Sequence, residues 1–382
     1  MFFILILAAY LGANIYLLFR GLHSLPHGVF RIVFSIAICV LAVIFFVGMF
    51  FENKFPIGVV SVMQHVGGTW LCSLLYSVPI VLIIDIVRLI NRFFPFLPDF
   101  FTVNPQTTSL YVFFSVVGTV AVIFVVGVIR FNNPSVVNPD FKTDKRINEV
   151  PKIVVASDLH LGYTTGNNKL DDFVELINSQ NPDIVLLCGD IFDRSVRPVE
   201  SKNMLAKLKE IKASKGVYAV PGNHEYYGNK EKALRYLSET FVLLRDSVAQ
   251  PTEDIYIVGR DDRTNGNRKP LKEIMRGIDH NKLIILLDHQ PQHLEEAQKA
   301  GVDFQFSGHT HDGQIFPINL IARKVYEKSY GYLQKGDTQY YITSGLGLWG
   351  AHLRIGTRSE IVVLDNYTQK YVSSERPDVQ RR

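Results

Sequence analysis

Apolar positions run almost unbroken through the first third of the chain and break into short periodic runs after about residue 150. Residues 1–19 and 32–51 contain no charged side chain. Residues 66–84 include Pro79 and are closed by Asp85, Arg88 and Arg92, and residues 110–129 are followed by Arg130. Each stretch approaches the ~20 apolar residues that a helix needs to cross a bilayer. One such stretch could be the core helix of a soluble domain. Four in succession predict a bundle of about four transmembrane helices over residues 1–130. The first stretch lacks the basic start of a cleaved signal peptide and reads as a span. Residues 131–150, with Asn132, Asn133, Pro134, Asn138 and Pro139 among mixed charges, read as a polar linker.

From residue 151 to 366 the pattern is short β-branched runs alternating with amphipathic stretches. Strands are predicted at 153–156, 183–187, 217–220, 283–287, 302–306, 340–343 and 360–364, and helices at 169–179 and 201–213. Alternation of this kind predicts an α/β sandwich with a largely mixed sheet. Residues 367–382 read as a polar tail.

The 47% apolar content is ordinary for the whole chain but conceals this division. A formal charge of +4 with no Lys/Arg-rich run gives no reason to expect a nucleic-acid partner. Cys39, Cys72 and Cys188 have neither metal nor disulfide spacing and read as small apolar packing residues. An even number of spans puts the N-terminus and the soluble domain on one side of the membrane. Arg20, Arg31, Arg88 and Arg92 flank the first and third connections, whereas the second has only Lys54 beside Glu52. Positive charge favours the cytoplasm, so the domain is expected outside. Lys142, Lys145 and Arg146, close to the fourth span, pull the other way.

Five polar clusters follow predicted strands: Ser157-Asp158-Leu159-His160, Gly189-Asp190-Ile191-Phe192-Asp193-Arg194, Gly222-Asn223-His224-Glu225, Asp288-His289 and Gly308-His309-Thr310-His311. Asp158 and His160 alternate across one residue, which at a strand end would point both side chains one way. His309 and His311 repeat the arrangement. Asp190, Asn223 and His289 add donors from other strand ends. Mixed carboxylate, amide and imidazole donors suit divalent manganese, iron or zinc. Singly, each cluster is explained by turn chemistry or by a packed histidine. All five in order, each after a strand, are not.

The ordered set Asp-x-His, Gly-Asp-x-x-Asp, Gly-Asn-His-Glu, a lone His and Gly-His-x-His closely resembles the calcineurin-like metallophosphoesterases, and the strings SDLHLG at 157–162 and GHTHDGQIFP at 308–317 look most like a bacterial membrane-associated or exported branch. Asp312 stands where many relatives carry glycine. The resemblance implies a four-layer α-β-β-α sandwich and a phosphoric ester hydrolase with two divalent metal ions. Asp158, His160, Asp190 and His311 would hold one ion. Asp190, Asn223, His289 and His309 would hold the other, with Asp190 and a hydroxide bridging. His224 would stabilise the transition state or protonate the leaving oxygen, and Asp193 would orient it. Arg194 is either a phosphate contact or a solvated loop charge, and Glu225 reads as structural.

The motifs do not separate phosphomonoesters, phosphodiesters and pyrophosphates. Specificity is expected from the loops 163–168, 226–229, 261–269 and 346–354, the last with Trp349 either facing the metals or packed under the sheet. Tethering to a bacterial inner or plasma membrane points to a lipid-linked phosphate ester. Two other classes compete: a non-catalytic interaction or regulatory module, and a transporter or sensor regulated by the soluble domain. The full ligand set opposes the first. The near absence of charge inside the spans, Asp85 apart, opposes the second.

Overall fold

A computed structural model describes residues 2–367 of the chain. Helices α1 (Phe2–Ser24) and α2 (Val29–Phe50) are 23 and 22 residues long. Helix α3 (Ile57–Phe93) runs for 37 residues through Pro79. A single-turn helix α4 (Asp99–Thr102) leads into α5 (Pro105–Asn132). All but α4 are long and apolar enough to cross a membrane. At 1.5 Å per residue α3 extends ~55 Å, well beyond the ~30 Å hydrocarbon layer. The expected span at 66–84 is therefore only part of it.

The first half of α3 is long because it also serves as a wall of the soluble domain. Ser61 Oγ donates to the carbonyl of Tyr163 at 2.6 Å, and Tyr76 Oη donates to that of Phe316 at 2.5 Å. Gly67 lets α3 cross α2 closely, since a Cβ there would lie 2.5 Å from the Phe45 Cβ. Small residues serve helix contacts in membranes in this way. The end of α5 is fixed as well, its Gly127 carbonyl accepting from the Arg354 amide at 3.1 Å. Within the bundle Arg20 pairs with Asp85 at 2.5 Å, so the intramembrane carboxylate has a partner.

Two six-stranded sheets form the soluble part. The first has the order β1 (Ser135–Val137), β12 (Glu360–Leu364), β2 (Ile153–Ala156), β3 (Ile184–Cys188), β4 (Val217–Val220), β5 (Val242–Leu243), parallel except between β12 and β2. The second has the order β10 (Gly331–Lys335), β11 (Thr338–Ile342), β9 (Phe304–Ser307), β8 (Leu283–Leu287), β7 (Ile255–Gly259), β6 (Ser247–Thr252), antiparallel only at its two edges.

Sheet alternation sorts the core into layers. Ile153 and Val155 face the space between the sheets with Ile285, Leu287, Phe304 and Phe306. Val154 and Ala156 face outward onto α6 (Asn167–Ser179), which presents Leu170, Phe173 and Ile177 at helical spacing. Helices α7 (Arg197–Ser201), α8 (Met204–Leu208), α9 (His224–Tyr227) and α10 (Lys230–Thr240) follow on this side of the chain order. Ile284 and Leu286 meet α11 (Leu271–Ile274) and α12 (Glu295–Lys299) on the far face. Two sheets between helical layers give the mixed α/β domain expected. Strands buried on both faces read as unbroken apolar runs, which is why they were legible.

Several elements differ from expectation. The helix expected at 201–213 is two short helices, because Asn203 takes a left-handed backbone (φ 51°) between them. The edge strands β6 and β10 carry mixed polar patterns and escape a reading based on apolar runs, β5 is only two residues long, and β7 escapes the reading too. Within the expected linker, β1 pairs in parallel with β12, and Phe141 is buried between the sheets. Tyr367, expected in the tail, is buried and donates to the Pro151 carbonyl at 3.0 Å; residues 368–382 lie outside the described residues.

Candidate metal centre

The turns that follow β2, β3, β4, β8 and β9 converge on one cleft, and they carry all seven side chains expected as ligands. In a first group the Nε2 atoms of His160 and His311 face each other at 3.1 Å. Asp158 Oδ1 lies 3.8 Å from the first and 3.6 Å from the second. In a second group Asp190 Oδ2 is 3.1 Å from His289 Nε2, which is 3.2 Å from Asn223 Oδ1. Asn223 Oδ1 is in turn 2.8 Å from His309 Nδ1. Asp190 Oδ2 also lies 3.8 Å from His160 Nε2, so this oxygen stands between the groups. Donors ~2.1 Å from one divalent ion at tetrahedral or octahedral angles are spaced ~3–3.5 Å apart. The second group is close to that spacing, at 2.8–3.2 Å, and the first is wider, with Asp158 3.6–3.8 Å from the two imidazole nitrogens.

The backbone that achieves it is not the one expected. Asp158 and His160 lie beyond the end of β2, and both have left-handed backbones, φ 58° and 48°. The period-two argument therefore does not apply: two tight turns, not a strand pleat, aim these side chains together. Asp190, His309 and His311 are left-handed too, at 51°, 70° and 49°. Each such residue costs about 1–3 kcal/mol, and strain of this kind concentrates at functional sites. Glycines make room: a Cβ on Gly222 would lie 2.1 Å from Asp190 Oδ1. Asp312, the departure from the usual glycine, also has a positive φ of 46°. Its carboxylate takes a bond from Arg323 at 2.9 Å and one from Ser329 at 3.0 Å, which ties this turn to α13 (Ile318–Val325).

Partners behind the donors set their orientation. His289 Nδ1 meets the Cys188 carbonyl at 2.6 Å, leaving Nε2 toward Asp190. Asn223 donates its amide to Tyr227 Oη at 2.9 Å, which turns Oδ1 inward. Glu225 is buried and accepts from the amides of Asp190, Phe192 and Gly222 at 3.1, 2.8 and 2.7 Å, as a structural reading requires. His224 Nδ1 is 2.8 Å from Asp193 Oδ1, and its Nε2 is 4.0 Å from Asp190 Oδ2.

Electrostatics fit a cationic occupant. Burial holds His160 down at about 3 and His309 at about 4, so both present neutral nitrogens, the form that binds metal. Burial also pushes Asp158 up to about 6, with the Asp190 carboxylate adding to the effect. Burial opposes ionisation of Asp190 as well, but His289, His224 and His160 outweigh it and hold that carboxyl well below the usual range. At His224 burial favours the neutral ring, yet Asp190 and Asp193 prevail and raise it to about 9. The Nδ1 atoms of His160 and His311 are buried without a hydrogen-bond partner. The donor set and its spacing thus suit divalent cations.

The mouth of the cleft held the larger surprise. Phe45, Met49, Glu52 and Gln64 from the α2–α3 end line a cavity of about 380 Å³ together with Tyr163, Tyr227, His224 and Trp349. Trp349 is half exposed with its ring centroid 6.4 Å from that of His224, so it faces the cleft. Arg194 lines the same cavity and donates to the Met49 carbonyl at 2.6 Å. Arg197 donates to the carbonyls of Glu52 and Phe55 at 2.5 and 3.1 Å. Of the loops expected to confer specificity, 261–269 is absent from this lining. Arg354, unremarked in the sequence, is fully buried and donates to the carbonyls of His311, Ser344, Gly345 and Gly347 at 2.7–3.2 Å.

The family model for calcineurin-like phosphoesterase matches residues 151–313. An uncharacterised metallophosphoesterase of Aquifex aeolicus is 31% identical over 222 residues, which cover 56% of this chain and 84% of that protein. The chain belongs to the calcineurin-like phosphoesterase family. A further relative, a transmembrane protein with metallophosphoesterase domain from Bos taurus, is 31% identical over 273 residues, 64% of this chain and 60% of that protein. An uncharacterised metallophosphoesterase of Helicobacter pylori is 33% identical over 229 residues, 58% of this chain and 60% of that protein. The matched region thus spans 60% of the length of these two relatives. Divalent metal dependence comes with the calcineurin-like phosphoesterase family, and the Asp/His groups here are able to hold such ions.

Proposed function

We propose that the chain is a membrane-anchored phosphoesterase that uses two divalent cations, manganese, iron or zinc, to hydrolyse a phosphodiester, pyrophosphate or phosphomonoester. The observation that carries this reading is the convergence of two donor groups that share Asp190 Oδ2. In it Asp158, His160, Asp190 and His311 hold one cation, and Asp190, Asn223, His289 and His309 hold the other. Bound there, the cations would neutralise phosphate charge and make a water molecule acidic enough to attack near neutral pH. The protein's own part is positional and protonic. Asp193 fixes the His224 ring so that Nε2 faces the cleft, where it donates a proton to the departing oxygen. Arg194 stands on the same cavity wall, where its planar fork suits a phosphate oxygen.

The anchor is residues 1–130 and the hydrolase 151–366. In this arrangement the α2–α3 connection touches the domain, and the connections bearing Arg20, Arg31, Arg88 and Arg92 lie at the other end of the helices. The positive-inside rule then puts the domain outside a bacterial plasma membrane. A location within helix contact of the bilayer favours a lipid-linked phosphate ester.

The test is hydrolysis by the metal-loaded full-length protein of soluble phosphomonoester and phosphodiester probes, beside Asp190→Asn and His224→Ala. Activity in the wild type and at least ~10²-fold less in both variants is expected. Equal rates in all three on every probe would end the enzyme reading. Protease accessibility of the domain in intact cells tests the outward orientation, and full protection overturns it.

A further inference from the structure

A second cavity of about 430 Å³ continues from the metal-site cleft, sharing Phe45, His309, His311, Trp349 and Gly350 with it. Its character changes along its length. Near the metal groups it is lined by histidines, and beyond them by Leu71, Cys72 and Leu75 of α3 facing Ile315 and Ile318 of the domain. From the level of Gln64, in the first cavity, to that of Leu75 is eleven residues of helix, or ~16 Å. The groove ends beside an unusual surface. Phe316, Ile318, Leu320, Ile321 and Val325 are 40–69% exposed in one short segment, followed by Arg323 and Lys324 in the last turn of α13. Apolar residues clustered on a water-facing surface mark an interaction site, and an amphipathic helix edged with cations suits a membrane interface. Tyr76 Oη holds this segment against α3 some nineteen residues, ~28 Å, from the start of the helix. The exposed apolar face therefore lies alongside a membrane-crossing helix.

We propose that this groove binds the hydrocarbon chain of a membrane lipid whose phosphate ester headgroup lies at the metal groups, the lipid entering sideways between α3 and α13. The inference rests on the phosphoesterase reading and gives its lipid-linked substrate a binding site and a route of entry. Three features choose a lipid over a peptide. Beyond the end holding the metal donors the groove offers mainly apolar side chains, and the side-chain amide nitrogen of Gln314 there is tied to the Ala351 carbonyl at 2.8 Å. Its far end, at Leu75 and Ile318, lies beside the part of α3 that is long and apolar enough to cross a membrane. Its walls come from α3 with Phe45 of α2 on the anchor side, and from residues 309–318 and 349–351 on the hydrolase side, so a chain leaving the bilayer passes directly between anchor and hydrolase.

The test uses the full-length protein, metal-loaded, and nitrophenyl alkyl phosphodiesters with chains of about two to about twelve carbons, each below its micelle concentration. Wild-type kcat/KM should rise about two- to fourfold per added methylene until the ~16 Å groove is filled. In Leu71→Trp, which narrows the groove, the ratio of long-chain to short-chain kcat/KM should fall at least ~tenfold. Leu82→Trp, on the exposed face of α3 beyond the groove, should keep the wild-type ratio. A wild-type series that is flat with chain length, while the short ester is hydrolysed, overturns the groove and leaves the phosphoesterase reading standing. Hydrolysis of no ester overturns the phosphoesterase reading instead, and a binding readout then decides the groove separately. For that, a phosphate ester with a photoreactive group at its chain end should crosslink residues 71–75 or 315–318. Labelling confined to the outer faces of α1 and α2 contradicts the proposal.

Discussion

The two walls of the cleft are built on opposite principles. The inner wall is five strand-end turns whose buried carboxylates and imidazoles are positioned by strained backbones, tight glycines and second partners such as Glu225 and Tyr227. The outer wall is two apolar helices that meet the domain through a few bonds and close glycine contacts. In the proposed reading the inner wall sets what chemistry is possible and the outer wall sets what reaches it. A change to the inner wall should therefore alter rate on every substrate, whereas a change to the outer wall should alter choice among substrates.

The strongest challenge to that division is Asp190→Asn, which removes the charge shared by both donor groups. Activity on all esters should fall by ~10³ or more, and bound metal, measured by elemental analysis, should fall with it. Metal retained at full occupancy would contradict the shared role. Next comes His224→Ala. Its ring stands within donor reach of His160 and Asp190, but as the proton donor of this reading its loss should lower kcat by ~10²–10⁴ with metal content intact. Asp193→Asn should give a smaller loss of the same kind, ~10- to 100-fold, because it acts only by orienting His224. Arg354→Met sharpens the contrast from the side of stability. It strips donors from four buried carbonyls around the inner wall and should destabilise by about 3 kcal/mol, read as a lowered Tm. Mildest is Gly68→Ala at the outer wall, where the new Cβ would meet the Ala351 amide nitrogen at 3.2 Å. It should destabilise the junction by about 1 kcal/mol, visible as easier proteolytic release of the domain.

The same contrast governs what could be read from the chain. The inner wall was legible because its residues are chemically rare at strand ends and fall in a fixed order. Buried strands such as Ile184–Cys188 were legible for a related reason, being apolar at every position. The outer wall was not. Phe45, Leu71 and Leu75 are indistinguishable in sequence from residues that face lipid, and only the fold shows that they face the hydrolase. Arg354 was missed because a single arginine in a loop carries no periodic signal; its significance lies in three carbonyls of the turn just upstream and one from the distant His311. The backbone of the site escaped as well. Asp158 and His160 do lie together, but through left-handed turns that period-two reasoning does not describe.

Metal titration of the full-length protein tests the account most directly. Chelator-stripped protein, reloaded with manganese and assayed on a soluble phosphodiester, should bind two ions per chain and recover hydrolysis in step with loading. Asp190→Asn should recover neither. Binding of no ion, or hydrolysis that is equal in stripped, reloaded and Asp190→Asn protein, would contradict it.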